Sequence, residues 1–405
     1  MDHNSSQPTE KSPVQAATGK TSRLFFIDHL RAALVILVVL HHVALVYGAS
    51  VEGFYYLEPP LTDPLAFLVL LVFVLFNQAW FMGAFFLLAG CFTPGSFDRK
   101  GPGSFLKARL RRLGIPIILF YFVLNPISRM GWWLMPASLT GITTPPTWQA
   151  YPRLLGLGPL WFVAMLLIFS FGYAAWRMLT RNRTSSSMSR SSPPSYLRIG
   201  IFILALALVS YLVRIIVPIG EEVSLFGDFL SFPTIAYLPQ YLSFFVLGTV
   251  ASRHNWFQTL PNSMGKVGFV TAVVAAVALF PIAFISLLIS IENASQQLPP
   301  FGYGTWQSAV YTLWDSIFAV GMVLAVIALF RRFFNGQGRF GTFLSQHSYT
   351  VYVIHIPIVV FLAYALRGIE LAPLLKFGMA AVIVVPTCFA VAYIVRKIPG
   401  VSRVL

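Results

Sequence analysis

Asp28-His29-Leu30-Arg31-Ala32-Ala33-Leu34-Val35-Ile36-Leu37-Val38-Val39-Leu40-His41-His42 decides the fold class, because it is an apolar run that carries charge at both ends. As a helix it opens a membrane span. At about 100° per residue, the steps from Arg31 to His42 make three turns plus about 20°, so the two side chains share one face. They stand about 16 Å apart along the axis, roughly half the hydrocarbon thickness of a bilayer. Each buried ionisable group costs about 2.5–3.5 kcal/mol at the centre of a span on insertion scales, which marks the pair as functional candidates. A lone intramembrane His is better explained by a hydrogen bond to a neighbouring helix. Arg31 stacked below it, with Asp28 adjacent, shifts the reading towards chemistry. His41 points about 80° away from the Arg31 face, leaving His42 as the better proton acceptor or nucleophile.

The rest of the 405-residue chain has the same character. It is 57% hydrophobic and only 10% charged, and its mean hydropathy is +0.76. A soluble domain is nearer a quarter charged, so this is an integral membrane protein. Long unbroken apolar runs indicate helices, since barrel strands would alternate apolar and polar residues. The expected fold is all-α, a polytopic bundle of about ten transmembrane helices over 30–48, 65–92, 113–130, 159–179, 198–218, 235–251, 266–290, 308–330, 348–367 and 374–395. The second is overlong and is expected to tilt or break near Asn77-Gln78. Pro126 and Pro357 fall inside spans, where neighbouring helices can satisfy the backbone groups they free. Cys91 and Cys388 lie far apart in apolar segments, and no disulfide or metal-ligand spacing is visible.

With the N-terminus in the cytoplasm, all of the 28 lysines and arginines except Arg129, Arg153, Arg214, Arg367 and Lys376 fall on the cytoplasmic side. That is the positive-inside pattern for an even number of spans with both termini cytoplasmic. The net charge of +15 is therefore mostly topology, and nucleic-acid binding is excluded. Residues 1–22 read as a disordered tail, not a signal peptide, and 180–195 as a flexible cytoplasmic loop. Residues 23–398 form the transmembrane domain, and 399–405 a short cytoplasmic tail.

Four further stretches could carry chemistry. In Lys107-Ala108-Arg109-Leu110-Arg111-Arg112, ending at Pro116, Arg109 and Arg112 share a helix face at the cytoplasmic surface. Paired guanidiniums suit phosphate, although a lipid-headgroup anchor has the same composition. Phe85-Phe86-Leu87-Leu88-Ala89-Gly90-Cys91-Phe92 reads by default as close helix packing. Trp161, in Gly158-Pro159-Leu160-Trp161-Phe162, suits an interfacial belt as well as a substrate platform. Tyr352-Val353-Ile354-His355 adds a second intramembrane imidazole, whose structural and functional readings stand level.

Taken in order, Asp28/Arg31, His42, Phe85 to Phe92, Arg109/Arg112/Pro116, Leu160-Trp161-Phe162 and Tyr352/His355 resemble the motifs of the acyltransferase 3 family of integral membrane acyltransferases. The resemblance covers nearly the whole apolar chain. Tyr47-Gly48 and Met82-Gly83-Ala84-Phe85-Phe86 are most similar to the branch containing glucan succinyltransferases. Ala89-Gly90 departs from the family's Ser-Gly, so the hydrogen bond of that Ser is missing.

The resemblance implies a cytoplasmic acyl-CoA donor, no tightly bound cofactor, and an extracytoplasmic glycan or lipid-linked hydroxyl as acceptor, in the plasma or inner membrane. It implies Arg109 and Arg112 on the coenzyme phosphates, aided by Arg31, and His42 as base or acylated nucleophile. Expected partners are membrane lipids, acyl-CoA and the acceptor. The alternative is a secondary transporter of an anionic solute using the same Arg and His residues, but the paired internal repeats of such folds are not visible.

Overall fold

A computed structural model describes residues 24–49, 54–58, 63–144, 147–180, 192–225, 230–289, 299–336 and 338–405. Ten helical stretches among them are long and apolar enough to cross a membrane. The first three are α1 (Phe25–Tyr47), α2 (Pro64–Lys100) and α3 (Pro102–Leu134). They are followed by α4 (Trp161–Leu179), α5 (Tyr196–Ile216), α6 (Leu238–Arg253) and α7 (Asn262–Ile289). The chain closes with α8 (Trp306–Phe333), α9 (Arg339–Ala365) and α10 (Pro373–Lys397). A hairpin that the sequence did not announce, β1 (Val223–Leu225) against β2 (Leu230–Phe232), joins α5 to α6. The expected tail 1–22, and all of the 180–195 loop except Thr180 and its last four residues, lie outside the described residues.

The ten expected spans are all present, and the protein is a multi-pass integral membrane helix bundle. α1 sits at its centre: 67% of its most apolar stretch is buried, against 22% for α5 and α7. It packs on α2, α8, α9 and α10. Alternate helix ends gather at two opposite faces. At one face Asp98 of α2 meets Arg177 of α4 at 3.2 Å and Arg253 of α6 at 3.4 Å, and His29 of α1 meets the Phe334 carbonyl after α8 at 2.6 Å. At the other, Glu58 pairs with Lys376 of α10 at 2.6 Å, and Arg214 at the end of α5 pairs with Asp315 of α8 at 2.7 Å.

α2 corrects the expectation of a break. Its 37 residues run unbroken through Asn77-Gln78, because the Gln78 amide donates to the Tyr241 hydroxyl of α6 at 2.9 Å and does not compete for its own backbone. Asp63 caps its start by accepting from the Leu65 and Ala66 N–H groups, with Pro64 in the first turn where no donor is needed. At about 55 Å it outruns the hydrocarbon slab, so Arg99 and Lys100 project beyond it. Glycines seat it on α6. A Cβ on Gly90 would strike the Phe245 carbonyl oxygen, and one on Gly248 the Leu87 carbonyl oxygen. The Phe85 to Phe92 stretch is thus a packing seam, as its composition suggested.

α3 departs most from a regular helix. Two π-helical turns, Leu110–Gly114 and Phe120–Leu124, precede Pro116 and Pro126. Proline has no N–H to offer the carbonyl four residues back and its ring collides with it, so an extra residue per turn relieves the clash. The freed carbonyls are those of Arg112 and Phe122. In hydrocarbon each would cost several kcal/mol if left bare. Tyr349 donates to the Arg112 oxygen at 2.8 Å, and Tyr151 to the Phe122 oxygen at 2.5 Å.

Candidate active site

A cavity of about 430 Å³ opens at the face where Asp98 lies, between α1, α2, α3, α4 and α9. Its wall along α2 runs from Arg99 to Phe85, about 20 Å of helix. Arg31, Arg99, Lys100, Arg109 and Arg112 line its mouth, and no acid is among the lining residues. Such a mouth selects an anion.

Each key guanidinium is held in place. Arg31 lies 3.4 Å from Asp28, one turn back on α1. Arg109 donates to Thr93 Oγ1 at 3.1 Å and lies over the Phe105 ring, 5.1 Å from its centre. Arg112 lies 5.8 Å over the Tyr349 ring, the same tyrosine that holds its carbonyl. Tyr349 therefore fixes both the backbone and the side chain of Arg112. The deep end is apolar and is closed by Phe85, Phe162 and Tyr352.

Beyond that end, about one turn past Tyr352 and two turns past Val35, two imidazoles meet. His355 Nε2 is 3.2 Å from His42 Nδ1, with ring centres 4.8 Å apart. His42 Nδ1 also lies 2.8 Å from the Val38 carbonyl, and His355 Nδ1 lies 2.8 Å from the Tyr352 carbonyl. A carbonyl only accepts, so each Nδ1 carries the hydrogen. His355 Nε2 is then a lone pair accepting from the shared His42 Nδ1–H. His42 Nε2 is left with a lone pair of its own, in the tautomer a general base or nucleophile needs. His355 is fully buried, whereas His42 retains some exposure.

The opposite side of His42 is covered by Phe54, whose ring stacks on the imidazole at 6.1 Å. The short segment 54–58 is pinned from several directions. Trp132 Nε1 donates to the Phe54 carbonyl at 3.1 Å, and the Tyr55 hydroxyl to Asn125 Oδ1 at 2.5 Å. The Tyr56 hydroxyl donates to Glu58 at 2.8 Å, and Glu58 pairs with Lys376. Burial, reinforced by the Glu58 carboxylate beside it, raises the Tyr56 phenol well above its usual range, so it stays a donor.

Of the residues singled out in the sequence, Asp28, Arg31, Arg109 and Arg112 come together at the mouth, and His42 and His355 in the interior. Tyr352 stands between the two groups. His41 faces elsewhere and stacks on Phe81 at 5.2 Å. Trp161 is buried rather than interfacial, stacked on Tyr241 at 5.5 Å. Sequence reading missed Phe54, Thr93 and Tyr349, and also the pairing of His42 with His355. For Tyr349 a signal existed: Pro116 within a span means that some donor must reach the carbonyl of Arg112.

Cavity, guanidiniums and imidazole pair lie within one stretch that matches known proteins. Residues 24–395 match the acyltransferase domain of the acyltransferase 3 family. The chain belongs to that family. It is also similar to the glucans biosynthesis protein C of Salmonella paratyphi B, Salmonella dublin and Salmonella enteritidis, at 24% identity in each case over 84% of this chain and 83% of the relative. It is therefore a membrane acyltransferase, and the transporter alternative has no comparable support.

Proposed function

We propose that this enzyme takes an acyl group from acyl-CoA at its basic face and passes it to a hydroxyl of an extracytoplasmic, glucan-type carbohydrate. The basic face would be cytoplasmic, both termini with it, in the plasma or inner membrane. The single observation that carries the reading is a cationic cavity with no acid among its lining residues, with the His42–His355 pair two turns of α1 past its lining residue Val35. The names of the similar Salmonella proteins support glucan as the acceptor class.

In this reading Arg109 and Arg112 grip the coenzyme phosphates, with Arg31 lining the same mouth, and the pantetheine arm runs down the apolar cavity. The acceptor descends from the opposite face, displacing Phe54. His42 Nε2 takes the acceptor's hydroxyl proton as the oxygen attacks the thioester carbonyl. The carbon–sulfur bond breaks, and the same proton returns to the leaving thiolate, giving ester and free CoA thiol. His355 accepts from His42 Nδ1–H throughout and so stabilises the imidazolium that forms. Asp28 orients Arg31.

Purified protein incubated with acyl-CoA and a glucan oligosaccharide should release CoA thiol in step with ester formation. Equal release by wild type and His42→Ala would refute the reading. An acylated His42 trapped before acceptor is added would instead assign that lone pair a nucleophilic role.

A further inference from the structure

A second cavity, of about 270 Å³, lies between the start of α5 and the ends of α6 and α8. Those ends gather at the basic face, and α2 is the one helix that lines both cavities. Ile199 and Phe202 of α5, Phe244 and Leu247 of α6, and Val323 and Ile327 of α8 form its walls. From Ile327 to Val320 it runs about 10 Å along α8 towards the middle of the bundle. Apart from Arg198 and the Trp256 indole, every side chain lining it is hydrocarbon. A coenzyme or a sugar finds nothing to bond to on such walls. Its α5 wall belongs to one of the least buried spans, and Leu197, Ile201, Leu204 and Leu208 along that helix are each more than half exposed. In a membrane protein such a surface faces lipid.

The mouth of the groove has a different chemistry. Arg198 is exposed, and its guanidinium makes no hydrogen bond or ion pair among the described residues. Neighbouring cations are committed elsewhere: Arg253 to Asp98, and Arg331 to the Gln258 carbonyl and Asn262. No acid lines the groove. Arg198 stands in the first turn of the 21-residue α5, where Ser195 caps its backbone N–H and the helix dipole adds positive charge. Trp256, just past the end of α6, is half-buried on the same cavity, and tryptophan settles at headgroup level.

We propose that this groove binds an anionic glycerophospholipid, with one acyl chain between α5, α6 and α8 and the phosphate on the Arg198 guanidinium. The site is separate from the donor reading, since no arginine of the acyl-CoA cavity takes part. The chain exchanges lipid contacts for contacts with Phe202, Phe244 and Val323 of equal polarity, so the tail sets position and not class. Class is set at the head. A phosphate satisfies the unpaired guanidinium with two parallel hydrogen bonds. A glycerol headgroup leaves that phosphate's charge uncancelled, whereas a choline headgroup carries its own cation.

The test incubates detergent-purified protein with micelles holding equal amounts of palmitoyl-oleoyl phosphatidylglycerol and phosphatidylcholine. Lipid retained after detergent washing is counted by native mass spectrometry in wild type, Arg198→Ala, Arg198→Lys, Ile199→Trp and Arg109→Ala. Wild type should retain one phospholipid and favour phosphatidylglycerol at least about 5-fold, the scale of one cation beside an anionic headgroup. Arg198→Ala should lose the preference, and Arg198→Lys should keep most of it. Ile199→Trp fills the groove from its wall and should retain neither lipid. Arg109→Ala should retain what wild type retains. Arg198 is exposed, so its two variants carry the test if Ile199→Trp does not fold. No retained lipid, equal retention of the two lipids by wild type, or a preference unmoved in Arg198→Ala overturns the proposal. Lipid lost in Arg109→Ala but kept in Arg198→Ala and Ile199→Trp places the headgroup at the other arginine mouth, and overturns it too. None of these outcomes bears on thiol release, which tests the donor reading by itself.

Discussion

His42 and His355, on α1 and α9, share a hydrogen across 3.2 Å although 313 residues separate them. Both Nδ1 atoms are committed to carbonyl oxygens of their own helices, which fixes the direction of the contact from His42 to His355. In the proposed reaction a neutral imidazole would do for His42 what a carboxylate does in a hydrolase triad: hold the tautomer and face the positive charge once it forms. In a low-dielectric interior this avoids burying a full negative charge.

Substitution at this pair should be strongly non-additive. His42→Ala is expected to lower thiol release by about 10²–10⁴-fold, the range of general-base contributions. His355→Ala should cost less, and His355→Gln, whose amide oxygen can still accept, less again. The double alanine variant should be no slower than His42→Ala, because residues that act as a unit do not sum. Steady-state rates of the four proteins form the cycle, and additive losses would show that His355 works independently of His42.

The arginine mouth should be read in KM more than in kcat. Hydrogen bonds to charged groups contribute about 1.5–3 kcal/mol, so Arg109→Ala and Arg112→Ala should each raise KM for acyl-CoA roughly 10- to 100-fold. Arg112→Lys should recover only part of that, since a lysine keeps the charge and loses the bidentate fork. Tyr349→Phe leaves the ring under Arg112 and bares its carbonyl, so it should raise KM by less than Arg112→Ala does. A fall in kcat with KM unchanged would move these residues away from ground-state binding of the donor.

Much of this arrangement was legible in the sequence, but only within single elements. Arg31 and His42 could be aligned because one helix fixes their relation, and the basic ends could be sorted because charge patterning reports topology. Contacts between helices were not legible. Nothing local to His355 indicates that α9 lies against α1. Phe54 gave no signal, since its position over His42 depends on Trp132 and Asn125 of α3 and Lys376 of α10, two distant helices. The expected tilt or break at Asn77-Gln78 gave no break for the same reason: the Gln78 amide looks disruptive until Tyr241 arrives from α6. Trp161 could be read equally as an interfacial residue or a substrate platform because its partner, also Tyr241, is 80 residues away.

The packing seam between α2 and α6 predicts a steric phenotype without chemistry. Gly90→Ala would push a methyl group into the Phe245 carbonyl, backbone that cannot rotate aside. The helices must separate, and overpacking of this kind typically costs about 1–3 kcal/mol. Detergent-solubilised Gly90→Ala should melt below wild type, with a similar loss for Gly248→Ala. The pair together should lose less than the sum, since one separation relieves both clashes. Unchanged melting temperatures would mean that the seam is looser than its geometry indicates.

Arg214 and Asp315 offer a test of stability away from the imidazoles. Their side chains are 1% and 3% exposed, with Thr312 Oγ1 accepting from Arg214 at 3.0 Å and the Tyr237 ring 4.7 Å from its guanidinium. Removing one partner of a buried pair leaves an uncompensated charge and costs about 3–5 kcal/mol, whereas replacing both with apolar residues is often neutral or better. Asp315→Ala should therefore lower the melting temperature sharply. Asp315→Asn should lower it less, because the amide oxygen still accepts from Arg214. Arg214→Met combined with Asp315→Leu should recover most of the loss. If the paired replacement melts as low as Asp315→Ala, the two charges hold something beyond each other, and the cluster of Tyr237, Tyr311 and Trp314 around them becomes the place to look for it.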